Sequence, residues 1–125
     1  MQVLKKIVIS LIMAAASTAV FAAPEGAAQV RAAAEGTIAK IEEAVSLAEK
    51  GAGKEEIIKA INDARQLQKE FRYELTERQR QKSNDKLRIA REAFEKGDLQ
   101  PAEAKLREAL AGYVEMKAAY DAAHK

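Results

Sequence analysis

The chain reads as an all-α protein, an antiparallel up-down four-helix bundle built from two helical hairpins, and three observations predict it. The triplet Glu-Lys-Gly occurs at Glu49-Lys50-Gly51 and again at Glu95-Lys96-Gly97, each time between two stretches of helical pattern. Within those stretches apolar residues recur at three- and four-residue steps, the period of a helix with one buried face. The second and fourth stretches also align: Phe71 with Tyr120, Leu67 with Met116, Ala64 with Tyr113, Ile61 with Leu110 and Ile57 with Leu106. A hairpin that cannot cover its own apolar stripe covers it against a second copy.

The first 22 residues stand outside that pattern. Lys5 and Lys6 precede an apolar run from Ile7 to Ala16, and Val20-Phe21-Ala22 offers the small residues a signal peptidase reads, so residues 1–22 are expected to be a signal peptide cleaved after Ala22. The run meets Ser17-Thr18 before reaching the roughly 20 residues of a membrane span, so no stable span remains after cleavage. No cysteine follows it and no paired arginine precedes it, which points to general secretion into a periplasm. Residues 23–125 form the expected bundle domain.

The first helix of the bundle carries Val30, Ala33, Ala34, Thr37, Ile41, Ala44, Val45 and Ala48 on one stripe, with Pro24 in its first turn and an end near Gly51. Gly26 and Gly36 weaken its start. The second helix begins near Lys54, where Glu55 and Glu56 suit the positive end of the helix dipole, and is expected to stop near Glu74. Thr76-Glu77-Arg78-Gln79 reads as a capping box for the third helix, and Ser83-Asn84 offers a later start, so the central turn falls within 74–84. The third helix is poor in apolar residues, chiefly Leu87, Ala90 and Phe94. For the fourth, Asp98 is placed to cap, Pro101 sits in the first turn, and Leu106, Ala109, Leu110, Tyr113, Met116 and Tyr120 make the stripe.

Charge and composition exclude several function classes. The whole chain has 21 basic and 19 acidic residues; loss of Lys5 and Lys6 leaves the mature chain formally neutral, so its basic pI does not argue for nucleic acid. Absence of cysteine removes disulfides, iron–sulfur clusters and thiol catalysis. The single histidine, His124, is the one strong ligand for a transition metal, and it falls four residues after Tyr120 and eight after Met116 on one helical face. A haem needs a second axial ligand from another helix, and a di-iron site needs Glu-x-x-His pairs; neither is present. Glu42, Glu43, Glu70, Glu74 and Glu77 offer at most weak surface sites for hard cations. No serine has a suitably spaced histidine, and Gly51-Ala52-Gly53-Lys54 lacks the preceding strand of a phosphate loop, so it reads as a helix end. The expectation is a non-enzymatic protein.

One charge asymmetry stands out. Between Arg65 and Arg91 there are nine basic and four acidic side chains, and Arg72, Arg78, Arg80, Lys82, Arg88 and Arg91 are the candidate basic face for an anionic partner. The alternative for the same residues is a solvated helix face.

Two family resemblances follow from these motifs. Glu42-Glu43-Ala44-Val45 leading into Glu49-Lys50-Gly51, then Glu56-Ile57-Ile58-Lys59-Ala60, Ala93-Phe94-Glu95-Lys96-Gly97 and Ala104-Lys105-Leu106-Arg107-Glu108-Ala109, is similar to the small metal-binding protein family, over about Ile38 to Lys125. That resemblance implies an exported helical bundle binding divalent copper, nickel or zinc through many histidines. Here Ser46, Leu47, Ala60 and Leu110 stand in regions where histidine is expected, and His124 alone carries over, so it implies at most weak metal binding. Separately, Leu75-Thr76-Glu77-Arg78-Gln79 resembles the Leu-Thr-x-x-Gln motif of the Spy/CpxP-like periplasmic chaperones, present here once, which implies binding of unfolded or envelope proteins on a basic and apolar helical surface. The expected state is a monomer or homodimer.

Overall fold

The computed structural model describes residues 25–124. The signal peptide expected over residues 1–22 and Pro24 lie outside the described residues. Four helices follow in order: α1 (Glu25–Glu49), α2 (Lys54–Leu67), α3 (Glu77–Lys96) and α4 (Leu99–Ala123), with two 3-10 turns, Gln68–Glu70 and Glu74–Thr76, between α2 and α3. Each helix packs on the next in the chain, and α1 closes the square against α4.

Named cross-helix contacts give the directions. Arg31 near the start of α1 pairs with Asp121 near the end of α4, while Glu49 at the end of α1 pairs with Arg107 near the start of α4. Lys40 meets Asp63, with Gly36 packed against Leu67. Lys54 donates to the Glu95 carbonyl and Arg65 to Asn84, and Gln79 and Lys86 of α3 reach Glu115 and Glu108 of α4. Neighbouring helices therefore run in opposite directions.

The core is drawn from the stripes read from the sequence, with Val30, Ala48 and Leu110 only half-buried at its edge. Ile41 and Ala44 of α1, Ile61 and Ala64 of α2, Leu87 and Ala90 of α3, and Leu106, Ala109, Tyr113 and Met116 of α4 are fully buried. Burying each of the larger side chains contributes on the order of 1.5–3 kcal/mol. Thr37 lies inside the same core because its hydroxyl donates to the Ala33 carbonyl of its own helix at 2.6 Å, which satisfies the buried donor.

Both Glu-Lys-Gly triplets end their helices by the same chemistry. Gly51 and Gly97 adopt left-handed backbone, φ 73° and 83°. Gly51 N donates to Ala48 O and Ala52 N to Leu47 O; Gly97 N donates to Phe94 O and Asp98 N to Ala93 O. This is the Schellman pattern in both hairpins, with glycine where a side chain would be strained.

The structure departs from expectation at the centre. The second helix ends at Leu67 rather than near Glu74, because the Gln68 carbonyl that a continuing helix would offer to Arg72 is taken by Phe71 N and by the Arg80 guanidinium. The turn that results folds Phe71 into the core, fully buried. The aligned pair Leu67 and Met116 diverges here, Leu67 being 37% exposed and Met116 fully buried. The third helix does start beside Thr76, but no capping box forms: the Thr76 hydroxyl donates to Tyr73 O, and Gln79 reaches across to α4. Asp98 stands at the start of α4 without a side-chain capping bond.

Candidate functional site

Of the four helix seams, the one between α2 and α3 has the fewest contacts. The cause is the composition of α3, whose first half buries only Ser83. Along this seam runs a groove of ≈ 350 Å³ lined by Asn62, Arg65, Gln66, Lys69, Asn84 and Arg91. Asn62, Arg65, Gln66 and Lys69 recur at helical spacing along one edge of α2 and the turn after it, and Asn84 and Arg91 lie two turns apart on α3.

The three cations of the groove are held by amides and not by acids. Arg65 Nε donates to Asn84 Oδ1 at 3.2 Å, Lys69 Nζ to Gln66 Oε1 at 3.2 Å, and Arg91 Nη1 to Asn62 Oδ1 at 3.5 Å. Among the described residues no carboxylate lies within 4.0 Å of any of them. Arg91 Nε is buried with no hydrogen-bond partner. Burial, and then the nearby charges of Arg91 and Arg88, lower the pKa of the Arg65 guanidinium from its ordinary value.

The basic side chains singled out in the sequence divide by partner. Arg80 forms a two-pronged pair with Glu77, Nη2 to Oε1 at 2.8 Å and Nε to Oε2 at 3.2 Å, and Arg72 joins the same carboxylate at 3.5 Å. Arg88 is held between Asp85 and Glu92, at 2.6 and 3.0 Å. Arg78 and Lys82 are exposed on the first turns of α3. Arg91 alone of that set lines the groove; Arg65 and Lys69 complete it. The sequence signal for the missed pair is the stripe Asn62, Arg65, Gln66, Lys69, which contains no acid.

Arg80 also belongs to a buried polar network. Gln68, 2% exposed, accepts at Oε1 from Arg80 Nη1 at 3.0 Å and from the Tyr113 hydroxyl at 3.2 Å, while its own Nε2 donates to Arg65 O at 3.2 Å. One amide thus joins the end of α2, the start of α3 and the middle of α4. Burial pushes the Tyr113 phenol well above its ordinary pKa, so it stays a neutral donor.

His124 sits against the central turn, stacked on Tyr120 with ring centroids 3.9 Å apart and edge-on to Tyr73 at 5.4 Å. Its Nδ1 lies 2.8 Å from the Tyr120 carbonyl. A carbonyl only accepts, so Nδ1 carries the proton and Nε2 is the nitrogen left for a ligand. The nearest acid in sequence, Asp121, is already held by Lys117 at 2.7 Å and Arg31 at 3.3 Å, which lower its pKa. Arg31 also donates to the His124 carbonyl at 3.2 Å and lies over the Tyr120 ring.

Among the surface acids, Glu43 pairs with Lys40 and Glu77 with Arg80, while Glu42, Glu70 and Glu74 are exposed. Among the described residues no three His, Asp or Glu side chains are grouped to hold a metal ion. No helix of the described residues is long and apolar enough to cross a membrane. No family model, curated protein or solved structure gives a significant match to this chain.

Proposed function

We propose that this is an exported, non-enzymatic helical-bundle protein of the small metal-binding protein type, whose capacity for divalent copper, nickel or zinc is reduced to one weak site at His124. The observation that carries the reading is the imidazole geometry. A metal-ligating histidine characteristically donates its other ring N–H to a carbonyl, as Nδ1 does to Tyr120 O at 2.8 Å, and this orients Nε2 as the ligating atom. The stacked Tyr120 ring restrains the imidazole further. With Asp121 committed to two cations, the protein supplies one donor there, and water completes the shell.

Titration of the mature protein with copper, nickel and zinc is expected to show a single weak site that disappears in His124→Ala. Several tight sites, or one that survives the substitution, would overturn the reading. Export itself is checked by the intact mass of the protein from a periplasmic fraction, which is expected to begin at Ala23.

A second reading, binding of unfolded envelope proteins, is favoured by one surface feature. Leu75 is 82% exposed on the central turn, flanked in sequence by the exposed cations Arg72 and Arg78. Suppression of a client's aggregation that weakens with salt and with Arg78→Glu and Lys82→Glu supports it. No suppression at stoichiometric excess removes it.

A further inference from the structure

We propose that the groove between α2 and α3 binds a phosphate-type oxyanion, either free or as the terminal group of a larger molecule. The inference involves none of the residues around His124 and stands or falls separately from the metal reading.

The first observation is the charge balance. Of the other basic side chains among the described residues, ten have a carboxylate within 4.0 Å and the five that do not, Lys50, Lys54, Arg78, Lys82 and Lys96, are exposed, whereas Arg65 and Arg91 are half-buried without one and share a groove with Lys69, which has none either. Like charges gathered in one concavity repel, and an anion placed among them relieves that repulsion. The second observation is the unfilled donor set. Arg91 makes one long bond to Asn62 and leaves a buried Nε unpartnered, and Arg65 commits Nε alone, to Asn84. A buried donor without an acceptor costs free energy that a ligand-induced rearrangement of the guanidinium can recover.

Geometry selects the ligand class. Two planar guanidiniums project from two helices towards one volume, and each can span two oxygens of a tetrahedral anion. Asn62, Gln66 and Asn84 turn their amide oxygens to the cations, which leaves their NH2 groups as neutral donors for further oxygens. A single carboxylate would balance one of the three charges, whereas a phosphate dianion balances two and accepts from several donors at once. A groove of ≈ 350 Å³ admits such a group together with part of what it is attached to.

Two further grooves among the described residues lack this character. The one between α3 and α4 mixes Lys82 and Lys86 with Glu108 and Glu115, and in the one between α1 and α2 Asp63 is held by Lys40 and Lys59.

The test is titration of the isotopically labelled full mature protein with inorganic phosphate, at constant ionic strength against chloride. The expected result is a saturable shift of the Asn62, Gln66 and Asn84 side-chain amides in the wild type. Arg65→Gln and Arg91→Gln should each weaken binding roughly 10-fold or more, as loss of a charge-assisted hydrogen bond does, whereas Arg107→Gln, remote from the groove, should leave it within about 2-fold. Thermal melts serve as a second readout: phosphate should raise the Tm of wild type and Arg107→Gln but not of the groove variants. Vesicles containing phosphatidic acid form the other arm. Binding to them alone, lost in Arg91→Gln, assigns the oxyanion to a lipid headgroup. Absence of binding in both arms, or binding that survives both groove substitutions, overturns the proposal.

Discussion

At the scale of single residues, Gln68 decides more than any side chain the sequence brings forward. Its three hydrogen bonds satisfy a buried phenol, a buried guanidinium edge and a helix-end carbonyl. Gln68→Leu keeps the volume but strands those groups, and is expected to cost about 2–4 kcal/mol in chemical denaturation. Tyr113→Phe removes one hydroxyl while Arg80 still occupies the amide oxygen, so about 0.5–1.5 kcal/mol is expected. The adjoining carboxylate adds a pH dependence. A hydrogen bond from Arg80 lowers the folded pKa of Glu77 below its ordinary 4.5, so its stabilising share is complete above that pH and disappears as pH falls through the folded value. Glu77→Gln should therefore flatten part of the acid limb of the stability curve below about pH 4.5, read by urea midpoints at successive pH. None of this was legible beforehand. A glutamine in a run of polar residues carries no sign of burial until the chain turn that buries it is known.

At the scale of elements, helix ends and close approaches explain what the sequence disclosed and what it concealed. The Glu-Lys-Gly triplets were readable because a left-handed C′ residue demands glycine, and both glycines meet that demand identically. Gly51→Ala and Gly97→Ala should each cost about 1 kcal/mol, and by similar amounts, in equilibrium unfolding. Gly112 has a different reason to be small. A Cβ there would run into Ser83 Oγ, with Ser83 Cβ 3.4 Å away, so the hydroxyl in its present rotamer blocks it. Gly112→Ala alone should be destabilising, whereas in a Ser83→Ala background the helix propensity of alanine should return about 0.5–1 kcal/mol, as a double-mutant cycle would show. The apolar stripes of α1, α2 and α4 were legible from their period. The end of α2 was not, because its cause is a guanidinium arriving from α3, twelve residues away in the chain.

At the scale of the whole molecule, the bundle is unevenly joined. Three seams are covered by apolar stripes, and the fourth, between α2 and α3, is narrow and lined by charge. Amides in residues 77–86 of α3, where Ser83 is the one buried side chain, are expected to exchange with solvent faster than those of α4 between Leu106 and Met116, in native-state hydrogen exchange. Equal protection of the two segments would refute that ordering. The four-helix architecture followed from local periodicity and a repeat, which one strand of sequence displays. The groove did not, since Arg65 and Lys69 belong to α2 and its turn while Arg91 and Asn84 belong to α3, and only packing distinguishes them from Arg72, Arg80 and Arg88, whose charges acids neutralise.

The amide of Gln68 has a last consequence for how this chain tolerates change in length. Residues 50–52 close on α1 through backbone bonds while the Gly53 carbonyl starts α2, so extra residues inserted between Ala52 and Gly53 are expected to leave both helices in place. Residues 68–76 instead span a measured gap: one end is fastened to Tyr113 and Arg80, and Phe71 is fixed in the core between them. Adding or deleting a residue there is expected to pull Gln68 or Phe71 from its place, so the two hairpins are joined by a spacer of set length, and variation in length is better borne by the outer turns.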